Sequence, residues 1–259
     1  MCRLRTVLWR SPVVSVPSGK VRKARSSVKT ADPTREYFDR QAPGWERYYA
    51  AGGCMASRIP RFGEALRRRL PPGSRILDFG CGSGDLSDSL ARGGYRVVGV
   101  DRAANMITRA RQRFAPERVT FQWLGDSYSG SSLPFPDGVF DAVICSSVLE
   151  YVDNASACLR ELARVCRCGG WLVATVPNMM HPVRAVERLE RVVRSMLARS
   201  ERTPGRRMEY LALSKNRFSL RTWLGLLADS GWQEEEIAGR TRDLLLVVAR
   251  RLNRGCLDD

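Results

Sequence analysis

Three carboxylates stand in or at the ends of apolar runs: Asp78 within "ILDFGCGSGDLSDSL" (76–90), Asp101 closing "YRVVGVD" (95–101) and Asp126 closing "RVTFQWLGD" (118–126). After the first run come Gly80, Gly82 and Gly84 at alternate positions, with Cys81 between them. Glycines so placed let the chain turn sharply and bring backbone against a ligand, because no Cβ intervenes. A helix starting near Asp85 points its free N–H groups into the same space. Strand, glycine turn and helix together make a nucleotide site. A dinucleotide turn, however, has a small residue three positions after its second glycine, and here that residue is Asp85, whose carboxylate repels pyrophosphate. No Gly-Lys-Ser/Thr follows, which excludes a P-loop. What remains is a nucleoside without phosphates, itself carrying positive charge. S-adenosylmethionine, a sulfonium with a free amino group, meets that description.

Such residues need elements to hold them. "DPTREYFDRQAPGWERYYA" (32–50) reads as one aromatic helix carrying Tyr37, Phe38, Trp45, Tyr48 and Tyr49, and a second helix over 56–70 stops at Pro71-Pro72-Gly73. Residues 103–114 put Met106, Ile107, Ala110 and Phe114 on one helical face. Residues 127–138 are a loop. "FDAVICSSVLEYV" (140–152) starts as a buried strand, 154–166 is a helix that Gly169-Gly170 closes, and "WLVATVP" (171–177) is a fifth strand. The spacing then predicts a helix over 217–231 and two strands, "WQEEEIAG" and "RDLLLVVARRL", joined so closely that they pair antiparallel. Strands alternating with helices imply an α/β fold, a mostly parallel sheet covered on both faces.

The 259 residues suit one main domain with appendages. The formal charge of +16 invites nucleic acid or an acidic surface as partner, but its distribution is uneven. Residues 1–33 carry +7, residues 184–221 another +7, and everything else only +2. The first thirty residues contain no acid and are rich in Arg and Ser, as organelle transit peptides are, although Pro12 and Pro17 interrupt any long helix. We read residues 1–33 as a basic tail, with organelle targeting by residues 1–30 as the alternative. The eight cysteines show no C-x-x-C and no ligand spacing, so no metal is expected and a reducing, cytoplasmic compartment is. No apolar run approaches the length of a membrane-spanning helix.

Asp78-x-Gly80-x-Gly82-x-Gly84, Asp101, Gly125-Asp126 and "FDAVICSSVLEYV", in this order and each at a strand end, resemble the class I S-adenosylmethionine-dependent methyltransferases. Within these the sequence is most similar to the ubiquinone/menaquinone-type small-molecule enzymes, and "YFDRQAPGW" resembles their N-terminal lid. The resemblance covers residues 34–250, with the lid over 34–72, an Arg-rich insert over 178–216 and a C-terminal tail over 251–259. It implies a Rossmann-like sheet of seven strands, mostly parallel with a C-terminal antiparallel pair. It also implies roles at the cofactor. Asp78 attracts the ammonium of the methionine moiety, directly or through water; Gly80, Cys81 and Gly82 admit the amino-acid part and ribose. Asp101, with Arg102 beside it, accepts the ribose hydroxyls. Met106 packs on the adenine, Asp126 and Ser127 accept its amino hydrogens, and Ser146 faces the methionine end. Arg58 or Arg61 reaches the cofactor carboxylate.

The catalytic group is left open. Methyl transfer from a sulfonium needs mostly position and a dry pocket, and a base only where the acceptor must lose a proton. His181, the sole histidine, follows the fifth strand in "VPNMMHP", where it either serves as that base or satisfies a loop. Tyr37 and Trp45 either close on an apolar substrate or pack as an ordinary helix face. In the insert, Val186, Leu189, Val193, Met196 and Leu197 share one face of a helix over 183–199, while Arg184, Arg188, Arg191 and Arg194 line much of the other. Such a helix suits an anionic membrane surface, a cover for the site, RNA phosphates, or plain solvation on the domain. The expected activity is methyl transfer to O, N or C of a small, apolar or aromatic acceptor. The alternatives are an RNA methyltransferase, against which no Asn-Pro-Pro-Tyr-like motif follows the fourth strand, and a cofactor-binding scaffold without turnover.

Overall fold

The computed structural model describes residues 32–125, 128, 132–197 and 212–252. Asp126, Ser127, the residues before Asp32 and the tail from 253 onward lie outside the described residues, as do 198–211 of the insert. Seven strands form one sheet in the order β3-β2-β1-β4-β5-β7-β6. They are β1 (Arg75–Phe79), β2 (Arg96–Asp101), β3 (Val119–Trp123), β4 (Phe140–Cys145), β5 (Cys166–Pro177), β6 (Trp232–Ala238) and β7 (Leu244–Arg251). β1 to β5 pair in parallel, and β7 pairs antiparallel with both β5 and β6. The chain leaves β1 towards β2 and β3 on one side, and returns to β4 and β5 on the other. Ligands of open parallel sheets bind in the crevice at that reversal, beyond the carboxyl ends of β1 and β4.

Side chains alternate across the strands, and each face finds its own helices. Leu77, Val143, Leu172 and Ala174 pack with α5 (Ala155–Val165) and α7 (Leu220–Asp229). Ile76, Ala142, Ile144 and Val173 pack with α2 (Arg58–Arg67), α3 (Asp85–Arg92) and α4 (Ala104–Arg113). The helix starts are capped by side chains read directly from their types. Asn154 accepts the amide of Ala157 at 2.9 Å, and Ser219 that of Thr222 at 3.2 Å. Such caps are worth about 1 kcal/mol each.

Three expectations need correction. The aromatic stretch is two elements: α1 (Pro33–Gln41) ends, Pro43 and the left-handed Gly44 (φ 76°) interrupt, and a 3-10 turn follows over Trp45–Tyr48. Gly169-Gly170 does not close α5. The helix stops at Val165 because Cys166 is already extended, and β5 starts there. Its pairing with β4 jumps from Phe140↔Cys166 to Ala142↔Trp171, so the glycines form a bulge inside the strand. A Cβ on Gly170 would lie 2.6 Å from the Cys166 sulfur, which is why glycine stands there. Finally, α6 (Val183–Leu197) does not keep its arginines together. Arg184 is 4% exposed and faces the domain, whereas Arg188 on the next turn is exposed.

Candidate functional site

A cavity of about 630 Å³ opens at the sheet's reversal point. Its floor is the glycine turn. Gly80 (φ 76°) approaches β4 so closely that a Cβ would sit 2.2 Å from a methyl of Val148. The amides of Gly80 and Cys81 both donate to the carbonyl of Val100, at 2.8 and 3.0 Å, which ties the turn to β2. Gly82 carries the turn onward under the lid: the indole nitrogen of Trp45 would be 3.3 Å from a Cβ there.

Asp101 borders the cavity at the end of β2. The Gly82 amide donates to its Oδ2 at 2.9 Å and the Ala103 amide to its Oδ1 at 2.8 Å. Each oxygen keeps a lone pair for a ligand hydroxyl. Burial pushes the Asp101 carboxyl above its usual range, against the pull of those amides. Asp78 is placed differently from the expectation. It is buried behind the turn rather than on the cavity wall, where the Ser87 hydroxyl donates to it at 2.6 Å. Burial raises it to about 7, the Ser87 hydrogen bond opposes that rise, and the charge of Asp101 adds to it. Any interaction of Asp78 with a ligand therefore acts through its field across the turn.

The other wall gathers polar groups near the end of β4. Arg58 donates to the Ser146 hydroxyl at 3.2 Å, and Tyr49 hydrogen-bonds both. Burial pushes the Tyr49 phenol up, so it remains protonated. Ser147 adopts a left-handed conformation (φ 56°) that favours glycine, held by its amide donating to the Thr175 hydroxyl at 2.8 Å. Of the two arginines considered for the cofactor carboxylate, only Arg58 lines the cavity. Arg61 packs against the β6–β7 turn, where a Cβ on Gly239 would meet its Nη2 at 2.6 Å. Burial and then the neighbouring Arg242 and Arg58 lower its pKa.

The lid closes the cavity on the side of α4. Met106, 1% exposed, joins Ala42 and Ala103, with Phe38 and Trp45 packed against them. Tyr37, Arg102 and Met106 also border the cavity. Polar links fix the lid to α4 and its entrance: Asp39 accepts the Asn105 amide at 2.8 Å, Arg109 pairs with Glu46, and Arg102 pairs with Asp32 at 2.7 Å. The Arg109 hydrogen bond holds the Glu46 carboxyl below its usual range despite partial burial. Trp45, expected against the substrate, borders the cavity and also lies over the glycine turn. His181 is not part of the described cavity wall. Its Nδ1 accepts the Val183 amide at 3.2 Å and so caps α6. Sequence reasoning missed Tyr49, Ser147 and Tyr151 as wall residues. Tyr49 and Tyr151 sit in stretches already marked by the motif and the lid, but only their side-chain directions assign them to the cavity.

The residues present fit S-adenosylmethionine. A diol finds Asp101, a carboxylate finds Arg58, a cation finds the carboxyls of Asp101 and, behind the turn, Asp78, and the glycine turn leaves room that a Cβ would fill. Among the described residues, no group of three or more His, Cys, Asp or Glu is arranged to hold a metal ion.

The chain is similar to known methyltransferases in sequence and fold. The family described as "Methyltransferase domain" matches residues 77–174. The chain is 36% identical over 107 residues to the ubiquinone biosynthesis O-methyltransferase of Xanthomonas campestris pv. campestris (strain B100), covering 41% of this chain. That alignment spans 44% of the relative, so the chain matches less than half the length of this curated protein. Among solved structures, magnesium protoporphyrin IX methyltransferase from Synechocystis PCC 6803, with bound SAH, superposes with a TM-score of 0.64 at 21% identity, covering 84% of this chain and 98% of that one. A putative methyltransferase of Haloferax volcanii, in complex with the Trm112 methyltransferase activator, gives a TM-score of 0.62 at 19% identity over 83% of this chain and 98% of its own. The matched segment runs from within β1 through the glycine turn, Asp101 and β4, the parts that build the crevice. Residues 77–174 therefore match the methyltransferase-domain family, and the chain shares the fold of these solved methyltransferase structures.

Proposed function

We propose that the chain is an S-adenosylmethionine-dependent methyltransferase acting on O, N or C of a small, apolar or aromatic metabolite. The observation that carries this reading is Asp101, fixed by two backbone amides at the rim of a cavity whose floor is a glycine turn. The bound cofactor supplies a methyl group on a sulfonium, already activated for displacement. The chain's own residues hold the two reactants in line and keep water out. Asp101 takes the ribose hydroxyls, and Met106 lies against the adenine. Arg58, oriented by Ser146 and Tyr49, meets the carboxylate, while Asp78 and Asp101 make the turn favourable to the ammonium.

The aromatic wall of Tyr37, Phe38, Trp45, Tyr48 and Tyr151 supports an apolar or aromatic acceptor. The relative's name, which specifies transfer to oxygen, supports a hydroxyl among the three possible acceptor atoms. We give His181 no proton-transfer role, because its ring caps a helix away from the described wall. Free, buried Cys81, Cys145, Cys158 and Cys166 support a reducing, cytoplasmic setting.

Calorimetry of the purified chain with S-adenosylmethionine, its demethylated product and NAD tests the cofactor. We expect heat with the first two and at least a roughly tenfold loss in Asp101→Asn, the scale of losing charge-assisted hydrogen bonds to a diol. No heat with either sulfonium-derived ligand, but tight uptake of NAD, overturns the reading. Transfer of labelled methyl across a panel of phenols, catechols and amines then tests the acceptor. Firm cofactor binding without any transfer supports a scaffold instead, and RNA binding that weakens steeply with salt supports the RNA enzyme.

A further inference from the structure

Helix α6 is mounted with its polar side inward. Arg184 and Glu187, 4% and 5% exposed, form a buried pair at 2.8 Å, and Arg217 also bonds Glu187. Arg184 further donates to the carbonyl of Asn178 at 3.3 Å and to that of Asp243 at 2.7 Å. This polar anchor fixes the helix to the turn between β6 and β7, and Asp243 borders the cavity. On the outer side, Val186, Leu189 and Val192 repeat every three residues at 48%, 64% and 47% exposure, and Met180 just before the helix is 91% exposed. These are four of the five large apolar residues exposed among the described residues. A surface helix of a water-soluble domain ordinarily turns such a stripe to the core.

We propose that this outer face docks on an anionic lipid bilayer. An interfacial helix combines an exposed apolar stripe with net positive charge, and both ingredients are here. Of the eleven basic and four acidic residues in 184–221, Arg184, Arg217 and Glu187 are engaged in the buried anchor, which leaves nine basic and three acidic. Arg188 on the same helix is exposed. The net positive charge of residues 184–221 opposes a second copy of this chain, which carries the same charge, and favours negative headgroups. The proposal stands apart from the cofactor reading, since it rests on α6 alone. If both hold, the bilayer contacts the protein beside the turn that borders the cavity.

Flotation of the full chain with phosphatidylcholine vesicles, with and without phosphatidylglycerol, tests it. We expect partitioning that requires phosphatidylglycerol, weakens as salt is raised, and falls at least about tenfold in V186D/L189D. Arg188→Gln, which leaves the apolar stripe intact, should lower partitioning roughly fivefold, the worth of one basic residue at such a surface. Urea unfolding of each variant should match the parent, because these side chains are exposed. Absence of flotation with either vesicle overturns the proposal, as does flotation that both variants leave unchanged. Self-association without lipid binding, abolished by V186D/L189D, overturns it in favour of a second copy.

Discussion

Substituting Asp78 by Asn separates the cost of a buried carboxyl from its use. In the unfolded chain Asp78 ionises near its ordinary value of 3.8; in the fold, burial raises it to about 7. The folded protein therefore keeps a proton that the unfolded chain releases. This contribution to stability is fully present below 3.8 and is lost as pH rises through about 7. The interval corresponds to roughly 4 kcal/mol, on the scale of about 1.4 kcal/mol for each tenfold change in proton affinity. Asn has nearly the same shape, can still accept from Ser87, and never ionises. Urea unfolding across that interval should show the Asn variant gaining on the parent as pH rises, by a few kcal/mol at the alkaline end. Asp101 titrates in the same field, so the parent's slope belongs to both groups and only the difference between the proteins isolates Asp78.

Cofactor binding should run the opposite way. A cationic ligand across the turn favours ionised Asp78, so its affinity should rise roughly eightfold between about pH 6 and about pH 7.5 and then level off, the fraction ionised for a group near 7. The proton released on binding is measurable by calorimetry in two buffers of different ionisation enthalpy. Asp78→Asn should bind more weakly, with this pH dependence removed. If the variant binds S-adenosylmethionine as the parent does, with the same rise, the field of Asp78 has no part in the site. If its stability differs from the parent by the same amount at every pH, the buried proton is absent.

Two further substitutions follow from the geometry. Gly80→Ala forces a left-handed L-residue and pushes a Cβ to 2.2 Å from Val148. It should cost about 2 kcal/mol or more in urea unfolding and weaken cofactor binding measured by calorimetry. Adding Val148→Ala should recover the part due to the clash and leave the part due to φ. Glu187→Ala strands the Arg184 charge in the interior and should destabilise the chain by about 3–5 kcal/mol, whereas replacing the buried pair together should cost less, a difference read by a double-mutant cycle in urea.

Strands β1, β2 and β4 were readable because each is a short, largely apolar run at a distinct place, and burial on both faces leaves no other use for such runs. The acids at their ends followed from topology: parallel strands deliver Asp78 and Asp101 to one edge, whatever else the chain does. Direction was harder to read. Periodicity says which residues of α6 share a face, but not which face turns inward. Arg184 turns inward because Glu187 lies one turn away, Arg217 lies thirty residues on, and the carbonyls of Asn178 and Asp243 meet it there. No local window contains that set.

Asp78 shows the same limit from the other side. Its position after an apolar run was read correctly as a place for a carboxylate, yet spacing cannot say that Ser87, a turn into α3, claims its oxygen and draws it behind the glycines. The chemistry of the site then changes in kind. A carboxylate on the wall would bind a cation by contact, independently of pH above its ordinary range. A carboxyl behind the wall, raised to about 7, binds it only after giving up a proton. Sequence reading can thus place a charged group at a site, but the partners that orient it decide whether the group is charged when the ligand arrives.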